Sequence, residues 1–148
     1  MNTVQGDIFD YLGIANAICI PTNMIVDKFG AAVMGAGVAL AAKKKFPGID
    51  RNLGYLLKKQ YQPCVNLIYN FEKTKILSFP TKADWRKKSL VDLIDKSAYE
   101  LWLMTNRNKW TDVVLPPPGC GNGGLDFQHE VLPILMRYFD ERFTVVGA

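Results

Sequence analysis

The sequence has 148 residues, of which 49% are hydrophobic and 22% charged, and its mean hydropathy is +0.01. These values exclude fibrous and disordered proteins, and we expect a single domain over residues 1–148 with a folded surface of roughly 7,600 Å². The net charge of +4 and the pI of 9.0 favour an anionic ligand or partner.

Apolar runs and helix-favouring runs alternate along the chain. Besides a first strand before Gly6, we predict strands at 17–20, 65–69, 75–79, 112–115 and 143–146, and helices at 38–45, 49–59, 90–108 and 128–138. Ser89 is a plausible N-cap of the helix at 90–108, and the strands at 65–69 and 75–79 could form a hairpin. The alternation predicts an α/β fold, with a sheet covered by helices on both faces.

The cysteines and the N-terminal residues indicate which cofactors and compartments to expect. Cys19, Cys64 and Cys120 show no C-x-x-C spacing, and His129 is the sole histidine, so we expect no metal, no cofactor and a reduced, cytoplasmic setting. No apolar run approaches the roughly 18 residues of a membrane helix, and the first residues do not resemble a signal peptide. We therefore expect no membrane partner.

Four segments with unusual residues follow predicted strands. They are Gly6-Asp7, Thr22-Asn23, Thr81-Lys82 and the run from Gly119 to Gly124. In open α/β sheets ligands gather at the carboxyl ends of the strands, so we expect these segments to meet in one cleft.

Two glycine-rich segments precede predicted helices and are candidate phosphate sites. They comprise Gly35, Ala36, Gly37 and Val38, and Gly119, Cys120, Gly121, Asn122, Gly123 and Gly124. Glycine lets backbone N–H groups approach an anion, and a helix start adds its positive dipole end. Two such loops suggest a diphosphate, whereas the alternative is that the glycines serve tight turns and close packing.

Three polar residues at these strand ends have a functional and a structural interpretation. Asp7 could accept a hydrogen bond from an exocyclic amine such as that of adenine, or it could cap a helical turn at 8–11. Asn23 suits a ribose hydroxyl or an Asx turn. Lys82 could be a nucleophile or a directed cation, or it could belong to a solvated basic loop.

The run Trp85-Arg86-Lys87-Lys88 interleaves an aromatic ring with cations, as surfaces for single-stranded nucleic acid do. A solvated basic face explains this run equally well. Cys120 could be reactive within its loop, but packing of a small side chain is the more ordinary role. We expect His129 on a helix surface or at a cap.

Taken together, these segments resemble the macrodomain family, which binds ADP-ribose. The resemblance spans nearly the whole chain and is carried by the segments 6–8, 21–23, 33–40, 46–47 and 118–126. Within the family, the runs at 33–40, 79–86 and 119–126 look most like the antitoxin macrodomains of DarTG systems, which remove ADP-ribose from thymidine bases in DNA. The resemblance implies a three-layer α/β/α fold with a central mixed sheet.

The resemblance also implies roles for individual residues. Asp7 and Ile8 would hold the adenine, the two glycine-rich segments would hold the diphosphate, and Asn23 would orient the distal ribose. Lys82 matches the lysine implicated in catalysis in this subgroup. Two positions depart from related patterns, since Gly123 stands where terminal ADP-ribose glycohydrolases have an aspartate and Pro21 stands where an asparagine is expected.

Three functions follow as hypotheses. The first is an ADP-ribosyl hydrolase, with ADP-ribosylated DNA as the favoured substrate and single-stranded DNA as a candidate partner. The second is a phosphatase acting on ADP-ribose 1″-phosphate, and the third is a reader module that binds ADP-ribose without turnover. We expect a monomer.

Overall fold

A mixed six-stranded sheet lies at the centre of the computed structural model, which describes residues 1–147. The strands are β1 (Asn2–Val4), β2 (Ala17–Thr22), β3 (Asn66–Phe71), β4 (Thr74–Pro80), β5 (Val113–Leu115) and β6 (Phe143–Val146). The helices are α1 (Gly37–Lys45), α2 (Ile49–Lys59), α3 (Val91–Asn108) and α4 (Leu132–Leu135), with a 3₁₀ turn at Ile8–Tyr11 and a π-helical turn at Phe127–Val131. The accessible surface is 7590 Å², which agrees with the value expected from the chain length.

The strand order is β1-β6-β5-β2-β4-β3, and every neighbouring pair is parallel except β3 with β4. The carboxyl ends of the five parallel strands therefore lie along one edge of the sheet. The antiparallel pair confirms the predicted hairpin, in which Phe71 pairs with Thr74 next to the turn.

Helices cover both faces of the sheet, which confirms the three-layer α/β/α architecture. Successive residues of β2 point to opposite faces, so Cys19 joins one buried cluster while Ile18 joins the other. The first cluster takes Leu101 from α3, and the second takes Leu53 from α2.

Of the two outer strands of the sheet, β1 is short and β3 is irregular. At one edge β1 has three residues and pairs with β6 alone among the described strands. At the other edge the pairing of β3 with β4 shifts register between Leu67 and Tyr69, as in a β-bulge.

The predicted helices agree with the structure where local signals are strong and differ where they are weak. The helix α2 has the predicted bounds. Gly48, its N-cap, has φ +87°, a left-handed conformation that glycine favours, and α2 begins at the next residue. The prediction that Ser89 caps α3 is wrong, since Leu90 occupies the cap position and no side chain caps this helix. The helix predicted at 128–138 is instead a π-helical turn followed by the short α4, with Pro133 in the first turn of α4.

No helix within residues 1–147 is both long enough and apolar enough to cross a membrane.

Candidate functional site

A cavity of about 700 Å³ opens at the carboxyl edge of the sheet, within the range of small-molecule sites. Three of the four predicted strand-end segments line it, so the sequence prediction of one shared cleft is confirmed for them. The lining residues include Pro21, Thr22, Asn23, Gly35, Ala36, Gly37, Val38, Thr81, Lys82, Trp85, Ser89, Pro116, Gly119, Cys120, Gly121, Asn122 and Gly123.

The start of α1 supplies one wall of the cavity. Ala36 is the N-cap, no side chain caps the helix, and its first turn contains no acidic residue. The first helical bond runs from Leu40 N–H to the Ala36 carbonyl, so the N–H groups of residues 37–39 have no acceptor within the helix. Gly37 has φ +56°, a conformation that suits glycine and brings the chain into the helix. This wall therefore offers backbone donors at the positive end of a helix dipole.

The segment 119–124, here called the glycine loop, supplies the opposite wall. Leu125 N–H donates to the Gly119 carbonyl at 3.0 Å, and Gly124 N–H donates to the Gly121 carbonyl at 3.2 Å. A Cβ at Gly119 would lie 2.7 Å from Ile94 Cδ1, and a Cβ at Gly123 would lie less than 3.0 Å from Ser89 and from the Gly119 carbonyl. The positive φ of Gly119 and the close backbone contact of Gly123 therefore favour glycine at these two positions.

Two other glycines are not required by protein packing. A Cβ at Gly35 or at Gly121 would meet nothing within 4 Å, and neither residue has a positive φ. Both glycines line the cavity, so their missing side chains leave open space there. This arrangement favours the phosphate interpretation over turn geometry at these two positions.

The two glycine-containing walls lie close to each other. The Asn122 Nδ2 atom lies 3.6 Å from the point that a Cβ on Gly37 would occupy. An anion beside the start of α1 would therefore also lie close to the glycine loop.

Asn23 follows β2 and lies at the base of the cavity, with 9% of its surface exposed. Its Nδ2 atom donates to the Val33 carbonyl, and its Oδ1 atom accepts from Ile25 N–H, both at 2.9 Å. The Oδ1 contact is the Asx turn considered as an alternative from the sequence. The second Nδ2 hydrogen is not used by these two contacts, so the structural role leaves one donor for a ligand.

Lys82 lies in the segment 81–90, here called the lysine loop, and is half-buried at the cavity wall. Thr81 anchors both ends of this loop, because its N–H donates to the Thr22 carbonyl and its carbonyl accepts from Leu90 N–H. The Lys82 Nζ atom lies 3.5 Å from the Trp85 carbonyl. The ammonium group thus has one weak protein contact at the edge of the cavity.

Arg86 is fixed within the same loop by Asp84. The guanidinium donates to both carboxylate oxygens, at 2.9 and 2.6 Å, and this contact lowers the pKa of Asp84 to about 2. The guanidinium carbon also lies 5.5 Å from the centre of the Trp85 ring. The sequence indicates a basic surface that includes Trp85 and Arg86, and the structure places Trp85 in the cavity lining.

Ser89 is a cavity residue that sequence analysis assigned to another role. Its N–H donates to the Gly123 carbonyl at 3.0 Å and ties the lysine loop to the glycine loop. Among residues 1–147, its Oγ is the buried side-chain polar atom that has no hydrogen bond. A serine before a helix favours a cap, so no local signal pointed to the cavity.

Asp7, Ile8 and Gly124 were predicted to bind the ligand but are not among the residues that line the cavity. Ile8 is buried in the core beside α1 and α2, and the Asp7 carboxylate accepts from Phe9 N–H at 2.9 Å and caps the turn at 8–11. Asp7 follows β1 and so lies at the same edge of the sheet as the cavity. Its contact with adenine stays a prediction.

The surroundings of Cys120 and His129 favour structural roles for both side chains. Burial, together with the charges of Asp126 and Glu130, raises the pKa of the Cys120 thiol to about 11. Asp126 caps the π-helical turn and accepts from His129 Nδ1 at 2.7 Å, and this contact raises the pKa of His129. Within residues 1–147, no three His, Cys, Asp or Glu side chains lie close enough together to hold a metal ion.

Sequence comparison identifies relatives for most of the chain. No family model matches it. A protein of Thermus aquaticus named DNA ADP-ribosyl glycohydrolase is 30% identical over an alignment of 118 residues, which covers 74% of this chain and 32% of that protein. The chain spans about a third of the length of the curated relatives it matches.

Solved structures share the fold over the whole chain. The macrodomain of Thermus aquaticus DarG matches with a TM-score of 0.82 and 24% identity, covering 99% of this chain and 97% of the other. Thermosipho africanus DarTG, solved in complex with ADP-ribose, matches with a TM-score of 0.80 and 22% identity, covering 99% of this chain and 41% of the other. These likenesses confirm the fold that the sequence motifs imply.

Proposed function

We propose that this chain, which has the macrodomain fold and resembles DNA ADP-ribosyl glycohydrolases in sequence, binds ADP-ribose and removes it from DNA. The observation that carries the proposal is the convergence of the start of α1, the glycine loop, Lys82 and Asn23 around one cavity. The named activity of the relatives supports the choice of substrate.

The diphosphate would lie between the start of α1 and the glycine loop. The start of α1 presents backbone amides, and Gly35 and Gly121 leave room for the phosphate oxygens. Fixing the diphosphate would hold the distal ribose in place, which lowers the entropic barrier to reaction at its anomeric carbon.

Lys82 and Asn23 would act at the distal ribose. The free Nδ2 hydrogen of Asn23 would orient a ribose hydroxyl, while Lys82 would attack the anomeric carbon or stabilise charge there. In the net reaction, the bond from the anomeric carbon to the base nitrogen breaks. Water supplies hydroxyl to the carbon and a proton to the base.

The test incubates the purified protein with an oligonucleotide that carries ADP-ribose on a thymine, and follows release of ADP-ribose by mass spectrometry. We expect Lys82→Ala to lower release at least 100-fold while calorimetry shows ADP-ribose binding within a few fold of the parent. The control is Lys73→Ala. Lys73 is exposed in the turn between β3 and β4, at the end of the sheet opposite the cavity.

Further measurements separate the mechanisms and the alternatives. Borohydride trapping of an adduct on Lys82 would show a nucleophile, whereas activity retained by Lys82→Arg would show a cation. Phosphate release from ADP-ribose 1″-phosphate would instead indicate the phosphatase, and binding without any turnover would indicate a reader. Undiminished release by Lys82→Ala would contradict the proposed role of this residue.

A further inference from the structure

Trp85 is an exposed aromatic side chain at the cavity. It lies in the lysine loop, 51% of its surface is exposed, and it lines the same cavity as Lys82. The other two tryptophans, Trp102 and Trp110, are partly buried and pack against the core. An indole that is half exposed beside a cavity offers a flat apolar surface to a ligand.

Its neighbours hold the indole in place. Arg86 lies against the ring and is itself fixed by the ion pair with Asp84. The Trp85 carbonyl lies 3.5 Å from Lys82 Nζ, so the backbone of this residue lies near the amine. A surface already fixed by its neighbours loses less conformational entropy when it binds a partner.

The charge around Trp85 is strongly positive. Residues 82–88 contain four cations, and the carboxylate of Asp84 is paired with one of them. Lys87 and Lys88 are exposed, and the aliphatic part of Lys88 lies beside Gly124 of the glycine loop. An aromatic surface flanked by lysines suits a nucleobase with a phosphate on either side.

We propose that Trp85 stacks on the nucleobase that bears the ADP-ribose, and that Lys87 and Lys88 contact the adjoining phosphates of a single DNA strand. This inference rests on the proposed function, because Lys82 acts at the anomeric carbon to which the base is attached, and Trp85 lines the same cavity as Lys82. A base within a duplex is already stacked on both faces, so stacking on Trp85 requires an unpaired strand.

The experiment compares Trp85→Ala, Trp85→Phe and the parent on a single-stranded oligonucleotide with one ADP-ribosylated thymine. Stacking of one base on an aromatic side chain contributes about 1–3 kcal/mol, so we expect Trp85→Ala to lower kcat/KM roughly 5- to 150-fold. Trp85→Phe keeps an aromatic face and should stay within about threefold of the parent. The control is Tyr61→Ala, which removes a fully exposed aromatic side chain outside the cavity lining.

Calorimetry with free ADP-ribose separates base stacking from diphosphate binding. We expect Trp85→Ala to change the Kd for ADP-ribose less than twofold, and the same modification within a duplex to be released more slowly than in a single strand. The double variant Lys87→Ala/Lys88→Ala should lower the dependence of oligonucleotide binding on salt.

Three results would overturn the inference. The first is a kcat/KM of Trp85→Ala equal to that of the parent. The second is a loss of affinity of Trp85→Ala for free ADP-ribose as large as its loss of kcat/KM on the oligonucleotide. The third is a loss of rate on an ADP-ribosylated peptide as large as the loss on the oligonucleotide.

Fluorescence keeps this inference distinct from the proposed function. An unmodified single-stranded oligonucleotide should quench tryptophan emission in the parent but not in Trp85→Phe, whether or not the chain hydrolyses ADP-ribose. Quenching that persists in Trp85→Phe, or no quenching in the parent, would contradict stacking on Trp85. Failure of the parent to release ADP-ribose from any oligonucleotide would contradict the proposed function instead.

Discussion

Gly123 packs against Ser89 so closely that a Cβ on the glycine would lie less than 3.0 Å from the serine Oγ. The same Cβ would approach the carbonyl group of Gly119, which belongs to the backbone of the same loop. The glycine loop and the lysine loop are therefore joined at a point that admits no side chain.

We predict that Gly123→Ala destabilises the protein by about 1–3 kcal/mol, because overpacking forces the backbone of one loop to move. The free energy of unfolding is measured by urea denaturation followed by circular dichroism. Gly121→Ala is the matched control for stability, since its Cβ would meet nothing within 4 Å and its φ is not positive. Equal destabilisation by both variants would contradict this account.

Asn23→Asp is expected to lower the free energy of unfolding by about 1–3 kcal/mol at pH 7. The substitution keeps the acceptor for Ile25 N–H but replaces the Nδ2 donor with an oxygen that faces the Val33 carbonyl. Asn70→Asp serves as control, because Asn70 is exposed and its Oδ1 accepts from Lys75. A cost no larger than that of Asn70→Asp would show that the contact with Val33 is not important for stability.

His129 should titrate above its usual pKa of about 6.5, since its ring bonds to the Asp126 carboxylate. Because the pKa of His129 is raised, its ion pair stabilises the folded protein below about pH 6.5. This contribution is lost as the pH rises through the pKa of His129 in the folded protein. The lowered pKa of Asp126 gives stability that is present above about pH 4 and lost in acid. The pair therefore contributes most between these two values.

The measurement is an NMR titration of the imidazole signal, which is unambiguous because the sequence has one histidine. Asp126→Asn should lower the His129 pKa, although the charge of Glu130 still raises it. An identical pKa in the parent and in Asp126→Asn would rule out the ion pair in solution.

Cys120 should react slowly with iodoacetamide despite its place in the cavity lining. With a pKa raised to about 11, on the order of one thiol in a thousand is ionised at pH 8, and the thiolate is the reactive form. Peptide mapping by mass spectrometry should show alkylation at least tenfold slower in the folded protein than in guanidinium chloride. Equal rates would indicate a reactive thiol, the alternative left open by the sequence.

The convergence of the strand-end segments could be predicted from the sequence. In parallel sheets the ligand site lies at the carboxyl ends of the strands, so the strand directions suffice. The sequence could also predict α2 closely, since Pro47 and Gly48 mark its start and its leucines repeat at helical spacing. The prediction of α2 depends on residues that are near each other in the chain, whereas the convergence follows from the common direction of the parallel strands.

The features that sequence analysis missed depend on contacts between distant segments. The orphan Oγ of Ser89 arises because Gly123, 34 positions later, packs against it, and local preference suggests a helix cap instead. Asn23 bonds to Val33 across a loop whose path cannot be derived from spacing alone. The π-helical turn before α4 likewise has no distinctive local signature.

The register shift between Leu67 and Tyr69 affects how the molecule behaves in concentrated solution. A long, regular outer strand offers unpaired amides and carbonyls to other chains and can seed fibrils. The distortion of β3 interrupts that row at one side of the sheet, and the three-residue length of β1 limits it at the other. Both outer strands are therefore poorer templates for intermolecular strand addition than a long, regular strand would be.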